Sequence, residues 1–370
     1  MSKRLLCILS NMNAGGAETF LMKIYRAIDR KKYQFDFCIN LKDKGFYDDE
    51  IESLGGRIYH IPSKSESLSR FKKELSRIVI DNKYKYVLRI TANAAGLLDL
   101  KIAKEAGALV CIARSSNSNT EGGIKSKVAH KIGQLLYLHY VDIKIAPSIL
   151  AGEYTFGKKA VASGKVTILH NALATEIYKY NEKDRVRIRK ELGVDDKELI
   201  VGHIGRFMEQ KNHAKLIEIF TEIQKARPNS LLLLIGGNGN LEAKIRELVH
   251  VYGLDHNVIF MGIRSDVSSL LSAIDVFVMP SLYEGMPNTV IEAQATGLPC
   301  VISSTITKEA DITGLVKYCS LDATPKQWAD IVISSVQNER RDTTVDFIEK
   351  GYNIEFVVKF FCEIVFGEKK

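Results

Sequence analysis

Two carboxylates set eight residues apart, Glu284 and Glu292, bracket a segment that could grip a ligand carrying both hydroxyls and phosphate. The segment reads Pro280-Ser281-Leu282-Tyr283-Glu284-Gly285-Met286-Pro287-Asn288-Thr289-Val290-Ile291-Glu292-Ala293 and follows an apolar strand pattern, Val276–Met279. Pro287 and Asn288 are residue types of a helix start, as first-turn proline and N-cap, and Val290, Ile291 and Ala293 continue it. A helix start offers unpaired N–H groups and a partial positive charge, which suit a phosphate. A carboxylate offers several acceptor sites to a neutral diol. Glu284 in the loop is therefore placed for sugar hydroxyls, and Glu292 inside the helix for ribose hydroxyls. Taken singly, each glutamate reads better as a loop cap or a solvated helix charge.

A second segment, Gly202-His203-Ile204-Gly205-Arg206-Phe207-Met208-Glu209-Gln210-Lys211-Asn212, leaves a strand pattern and enters a helix marked by Leu216, Ile217 and Phe220. Arg206 brings directional donors and Lys211 a point charge, a pair suited to a diphosphate, although each alone reads better as a surface salt-bridging cation. Paired glycines in Asn11-Met12-Asn13-Ala14-Gly15-Gly16-Ala17-Glu18 let backbone approach a ligand closely. That turn lacks the G-x-G-x-x-G dinucleotide spacing, which counts against an oxidoreductase. Gly236-Gly237-Asn238-Gly239-Asn240 repeats the theme without specificity.

Loops of this kind need strands to aim them. Strand-like runs at residues 4–9, 34–39, 57–61, 86–90, 109–113, 143–146 and 166–169 alternate with amphipathic stretches, the pattern of parallel βαβ units. Leu21, Ile24 and Ile28 share one helix face, and Leu68, Phe71, Leu75 and Ile78 another. A charged stretch at 178–197 interrupts the alternation, which restarts at 199–204, 231–235, 258–261, 276–279 and 300–302. The expected fold is α/β: two doubly wound parallel-sheet domains, 1–172 and 173–350, facing a central cleft. Open parallel sheets bind ligands at the carboxyl ends of their strands, so the chemistry belongs in those loops.

Bulk composition narrows the classes further. The chain has 370 residues, 46% hydrophobic and 26% charged, as in ordinary globular proteins. No apolar run approaches the ~20 residues that span a bilayer, and the run at 5–9 is too short for a signal-peptide core, so the expected location is cytoplasmic. The six cysteines lack C-x-x-C spacing and read as buried small hydrophobes. Residues 1–172 hold 28 lysines and arginines against 16 acids, while the remainder is slightly acidic. The basic half suits an anionic partner: nucleic acid, a membrane surface or a phosphorylated acceptor.

In order along the chain, Gly15-Gly16-Ala17-Glu18, His170-Asn171, Gly205-Arg206-x4-Lys211, Phe260-Met261-Gly262-x-Arg264-x-Asp266 and Glu284-x7-Glu292 resemble the retaining glycosyltransferases of family 4, which have the GT-B fold. The likeness covers nearly the whole chain and is strongest to bacterial capsule, exopolysaccharide and cell-wall polysaccharide enzymes. It implies two Rossmann-like domains, with residues 351–370 as a C-terminal helix crossing back to the first. Ile354–Phe366, with Phe356, Phe360 and Ile364 at helical spacing, supplies that helix. It also implies roles: Arg206 and Lys211 on the diphosphate, Glu284 on the transferred sugar and Glu292 on the ribose. Gly262 and Arg264 would line the base pocket, Gly205, Gly285, Met286, Pro287, Asn288 and Thr289 complete the donor site, and Gly15 and Gly16 close over the phosphates.

The resemblance further implies a nucleotide-sugar donor, UDP-hexose or UDP-N-acetylhexosamine, and a saccharide or polyprenyl-linked acceptor. No cofactor is expected: the sequence contains no D-x-D triplet, and Arg206, Lys211 and the helix start can hold the leaving diphosphate without a metal. The leaving phosphate then helps deprotonate the acceptor, and no protein nucleophile is needed. One departure stands out. Many relatives carry a histidine after the strand at 109–113, where this chain reads Arg114-Ser115-Ser116-Asn117-Ser118-Asn119. Ser115, Ser116 and Asn117, with His170 and Asn171, remain candidate contacts to sugar or acceptor, without the histidine's charge.

Residues 122–140 carry Lys125, Lys127 and Lys131 followed by Leu135, Leu136, Tyr137 and Leu138. They read either as a helix on an anionic membrane, peripheral at the inner face of the plasma membrane, or as a core-packed helix with a basic end. A UDP-sugar epimerase shares the architecture and donor but needs no acceptor, so isomerisation of a UDP-sugar alone would distinguish it. Nucleic-acid binding is the reading from another class. No aromatic-basic module supports it, and nucleic acid is not the expected partner.

Overall fold

In the computed structural model, residues 2–13, 15–40, 43–117, 123–195, 197–237, 239–337 and 339–367 are described. Ala14, Ser118, Asn119, Gly122, Asn238 and residues 368–370, which fall in the motifs and ranges above, lie outside them. The chain divides into two compact units, residues 1–172 with 351–370, and residues 173–350.

The first unit holds β1 (Lys3–Ile8), β2 (Tyr33–Ile39), β3 (Ile58–His60), β4 (Tyr86–Thr91), β5 (Val110–Ser115), β6 (Ile143–Ala146) and β7 (Thr167–Ile168). They pair in parallel in the order β3-β2-β1-β4-β5-β6-β7. The second unit holds β8 (Ile200–Ile204), β9 (Leu231–Ile235), β10 (Val258–Gly262), β11 (Val276–Met279), β12 (Cys300–Ser303) and β13 (Val316–Cys319). These are also parallel, in the order β10-β9-β8-β11-β12-β13.

Helices cover both faces of each sheet, so the central strands are apolar on both sides. In β1, Leu5 and Cys7 enter one core and Leu6 and Ile8 the other. In β11, Val276 and Val278 face one core, and Phe277 and Met279 the other. All six cysteines are free and buried. Both sheets reverse their order beside the first strand, at β1/β4 and β8/β11. Ligands of open parallel sheets bind at such switch points.

Several elements depart from the sequence pattern. Strand β5 runs two residues further than expected, through Arg114 and Ser115, which are therefore strand residues. Strand β13 was not expected, because exposed Lys317 breaks its apolar run. The charged 178–197 stretch is no break. It contains the helix Glu182–Leu192, capped by the Asn181 side chain and ended by left-handed Gly193. That helix buries Ile188 and Arg189, and Arg189 pairs with Asp275 at 3.2 Å inside the second unit. Leu68, the first residue of the helix Leu68–Asp81, is exposed, while Phe71, Leu75 and Ile78 are buried.

The helix Ile354–Phe366 belongs to the first unit, but its buried face is turned by one residue. Val357, Phe361 and Val365 are buried, whereas Phe356 is 48% exposed. The Phe361 ring packs against Phe20 and Phe35 at centroid distances of 6.5 and 5.9 Å. Cutting a buried Phe back to Ala removes its transfer energy and leaves a cavity. Phe361→Ala should therefore destabilise the first unit by about 3–5 kcal/mol in urea denaturation, whereas the exposed Phe356→Ala should cost about 0.5 kcal/mol or less.

Candidate functional site

The β8 loop begins at Gly205 and Arg206, makes a short turn at Glu209–Lys211, and enters the helix His213–Ala226 through Asn212. Asn212 is left-handed, with φ 53°, a conformation that asparagine tolerates better than most residues. Its side chain donates to Pro280 O at 3.1 Å, which ties this turn to the β11 loop. Four more contacts join the two loops. Leu282 N–H donates to Gln210 O at 2.8 Å, Gln210 Nε2 donates to Tyr283 O at 3.0 Å, and Lys211 Nζ donates to Glu284 Oε1 at 2.8 Å. Gln210 Nε2 also reaches Glu284 Oε2 at 3.3 Å. The Lys211 and Glu284 side chains are only 16% and 9% exposed, so the pair is largely withdrawn from solvent. Arg206 is exposed, and its guanidinium has no partner among the described residues.

The β11 loop then enters the helix Asn288–Ala295. Pro287 is the N-cap and Asn288 the first helical residue, the reverse of the expected assignment. The reason is that the Pro287 carbonyl accepts from the N–H groups of Val290 and Ile291, at 3.1 and 3.2 Å. No side chain caps this start, and its first turn carries no acid. Met286 packs on the core beneath, and Gly285 and Thr289 are half-buried beside it. Glu292 is hydrogen-bonded by the Tyr178 hydroxyl, whose pKa is raised first by burial and then by that carboxylate. Gln294 anchors the helix. Its amide donates to Ala310 O at 2.7 Å and accepts from the N–H groups of Ile312 and Thr313.

The floor of the site is tightly packed. Gly205 N–H donates to Ile235 O, and Gly236, at φ 133°, sits so close that a side chain there would run into the Gly205 carbonyl. A Cβ on Gly205 would itself come within 3.0 Å of His203 Nε2 and 3.2 Å of the Lys211 stem. Arg264 makes two 2.8 Å bonds to Asp266, which hold the arginine up and the carboxylate below its usual pKa. Its expected place lining a base pocket is thus a fixed fork beside Gly262, which has φ 64°. A concavity of about 430 Å³ lined by Arg185, Lys197, Arg227 and Asp275 lies at the opposite, amino-terminal ends of β8 and β11. Parallel sheets do not hold their ligands at that end.

The sequence pattern did not single out the histidines beneath. His203 is fully buried, and its Nδ1 donates to Val278 O at 2.8 Å. Among the described residues, His203 Nε2 and both ring nitrogens of His213 have no hydrogen-bond partner. The two rings meet nearly at right angles, 4.8 Å apart. Burial, then the Lys211 charge, pushes His213 from 6.5 down to about 4. Burial and His213 hold His203 well below its ordinary value. A histidine directly after Lys211-Asn212 and another in an apolar strand were the available signals.

The first-unit residues are placed differently. Ser115 is fully buried and its hydroxyl lies 2.7 Å from Thr155 Oγ1, whereas Ser116 is exposed and Asn117 half-buried. Arg114 Nη2 donates to Asn171 Oδ1 at 2.6 Å. His170 lies at 3.0 Å from Pro147 O and stacks on Tyr352. Gly15 caps the helix Gly16–Ala27 without a side-chain bond. The helix Ile124–Tyr137 buries only His130 and Gly133. His130 Nδ1 accepts from Ala94 N–H at 3.1 Å, while Ile124, Val128, Ile132, Leu135 and Leu136 are exposed. Among the described residues, no helix is long and apolar enough to cross a membrane.

A family model described as "Glycosyl transferases group 1" matches residues 184–354. The chain is 35% identical over 335 residues to the putative glycosyltransferase EpsF of Bacillus subtilis (strain 168), across 89% of this chain and 87% of that one. It is 27% identical over 298 residues to the UDP-Gal:alpha-D-GlcNAc-diphosphoundecaprenol alpha-1,3-galactosyltransferase of Escherichia coli, across 73% and 72% of the two chains. The crystal structure of Anabaena HepE in complex with UDP and glucose superposes with a TM-score of 0.78 at 17% identity, over 98% of this chain and 99% of that one. The chain belongs to the group 1 glycosyltransferases and is itself a glycosyltransferase. Its two parallel-sheet units are the Rossmann-like domains of the GT-B fold.

The histidine pair gives the second unit an acid sensitivity. A histidine whose folded pKa lies below its unfolded value binds its proton more tightly when unfolded, so stability is complete above pH 6.5 and falls towards pH 4. His213 alone should remove about 3 kcal/mol over that window. Urea denaturation at pH 7.5 and pH 4.5 should show the loss, and His213→Phe should reduce it.

Proposed function

We propose that the chain is a retaining transferase of the family 4 type, moving a hexose or N-acetylhexosamine from a UDP-sugar to a saccharide or lipid-linked acceptor in cell-surface polysaccharide synthesis. The observation that carries this reading is the Lys211–Glu284 pair, set beside an uncapped helix start at the β8/β11 switch point. The E. coli relative's UDP-Gal donor and diphosphoundecaprenol acceptor, and the UDP and glucose bound to HepE, support the choice of ligands.

In this reading Arg206, Lys211 and the first-turn N–H groups of the helix Asn288–Ala295 hold the donor diphosphate. They take up its charge as the bond to the sugar's anomeric carbon breaks. Glu284 keeps one oxygen on Lys211 and offers the remaining lone pairs to sugar hydroxyls. Glu292, held by Tyr178, faces the ribose. The acceptor hydroxyl bonds to the anomeric carbon on the face the leaving group vacates, and its proton passes to a diphosphate oxygen. No metal takes part in these steps, and no isomerisation of the donor occurs without acceptor.

Two measurements test this reading. UDP and one or more UDP-sugars should raise the melting temperature, and GDP- and ADP-sugars should not. Glu284→Gln should leave the fold intact and lower transfer on the order of a hundredfold. Unchanged turnover, or rapid isomerisation of the UDP-sugar alone, would sink the proposal.

The helix Ile124–Tyr137 supports peripheral contact with an anionic membrane. Its exposed apolar residues follow a helical period and are flanked by the exposed Lys125, Lys127 and Lys131. Co-sedimentation with phosphatidylglycerol vesicles should be strong at low salt and weak with neutral vesicles. Replacing the three lysines with serine should abolish it, at about 1 kcal/mol per charge.

A further inference from the structure

Strand alternation places Arg114 and Ser115 on opposite faces of β5. Arg114 lies on the side of the helix Gly16–Ala27, its guanidinium 3.6 Å from the Phe20 ring centroid. The side chain is 2% exposed, and among the described residues it has no carboxylate partner. Nη2 is bound by Asn171 Oδ1 at 2.6 Å, Nη1 reaches Ser115 O at only 3.5 Å, and Nε has no partner among the described residues. Two other deeply buried arginines are neutralised, Arg189 by Asp275 at 3.2 Å and Arg89 by Asp99 at 3.1 Å. Burial alone lowers the Arg114 pKa from its ordinary value to about 9, so the group remains a cation at neutral pH.

An uncompensated buried charge costs stability, and folds keep such costs where a ligand supplies the missing charge. Here the position itself points to a ligand. Arg114 stands at the carboxyl end of β5, where parallel sheets bind. Phe20, on which it stacks, is the fifth residue of the helix Gly16–Ala27, and the start of that helix has no side-chain cap. A guanidinium fork matches the oxygens of a phosphoryl group, and the free N–H groups of a helix start suit the same ligand. Glu18, in the first turn, does not fill the role of counter-ion. Its electrostatic partner is Arg89, and burial raises its pKa towards the neutral carboxyl.

We propose that Arg114, oriented by Asn171 and assisted by the start of the Gly16–Ala27 helix, is a phosphoryl-binding residue of the first unit. The phosphoryl group belongs either to the nucleotide or to a phosphate-linked acceptor, and the test separates the two. The proposal leans on the glycosyltransferase reading only for those two sources.

Calorimetric titration of the full chain with UDP, and then of the UDP-saturated protein with inorganic diphosphate, reads each source in turn. Arg114→Met should weaken one of the two affinities by about tenfold or more without lowering the melting temperature of the unliganded protein. Loss of UDP affinity assigns Arg114 to the nucleotide, and loss of diphosphate binding assigns it to the acceptor. Asn171→Asp, which puts a carboxylate against the guanidinium, should raise the melting temperature and weaken the same ligand. Arg114→Lys should restore part of the affinity. The proposal is overturned if both Arg114→Met and Asn171→Asp bind UDP and diphosphate as the wild type does. It is also overturned if Arg114→Met melts far lower while Asn171→Asp binds normally. A wild-type protein that binds no uridine nucleotide would instead remove the donor reading, and titrating diphosphate into the unliganded wild-type and Arg114→Met proteins would then decide Arg114.

Discussion

The arrangement of the second unit turns on the ion pair between Lys211 and Glu284. Exposed pairs of this kind contribute little, because water screens them and two long side chains lose freedom. This pair is mostly withdrawn from solvent, so each charge depends on the other, and neither can move off without leaving a buried charge behind. The pair also fixes what each residue can do. Lys211 is not a free point charge awaiting phosphate, and Glu284 is not an unattached acceptor. The cation is already half-neutralised, and the carboxylate already has a set orientation when a ligand arrives.

The rest of the unit serves that pair. The turn at Glu209–Lys211 is held down by Asn212 against Pro280, and its backbone is bonded to the β11 loop through Leu282. Beneath it, the Gly205 and Gly236 backbones touch, and the neutral His203 and His213 rings fill the space that a water-filled floor would otherwise occupy. Two polar rings without full hydrogen bonding are a cost borne inside the protein. They lie close to Lys211, whose charge favours their neutral form, so protonating the floor would also repel that lysine. The first unit shows the same economy at Arg114, a cation held by a ring and an amide.

The sequence disclosed residue types and element order well. Alternating apolar runs marked twelve of the strands, because both faces of a parallel sheet are buried. The edge strand with Lys317 escaped, since an edge needs no continuous apolar run. Glu284, Lys211 and Arg206 stood out as candidates by their chemistry, but the bond between Lys211 and Glu284 joins residues 73 positions apart, and composition carries no such distance. The phase of the helix Ile354–Phe366 was illegible for a different reason: apolar residues occupy almost every position, so several faces fit the same spacing. Pro287 and Asn288 showed that a helix begins there, but which of them lends the first carbonyl depends on backbone angles. Arg114 carried no role in the sequence reading, and only its burial and the want of a counter-ion among the described residues set it apart.

The central claim is that Lys211 and Glu284 act on the donor as one unit. A double-mutant cycle with Lys211→Met, Glu284→Gln and both together, read as kcat/KM for sugar transfer, tests it most directly. The account predicts strong coupling, about 1–3 kcal/mol, with the double variant scarcely worse than the worse single one. Effects that add to within about 0.5 kcal/mol would mean that the two residues act independently, and would contradict it.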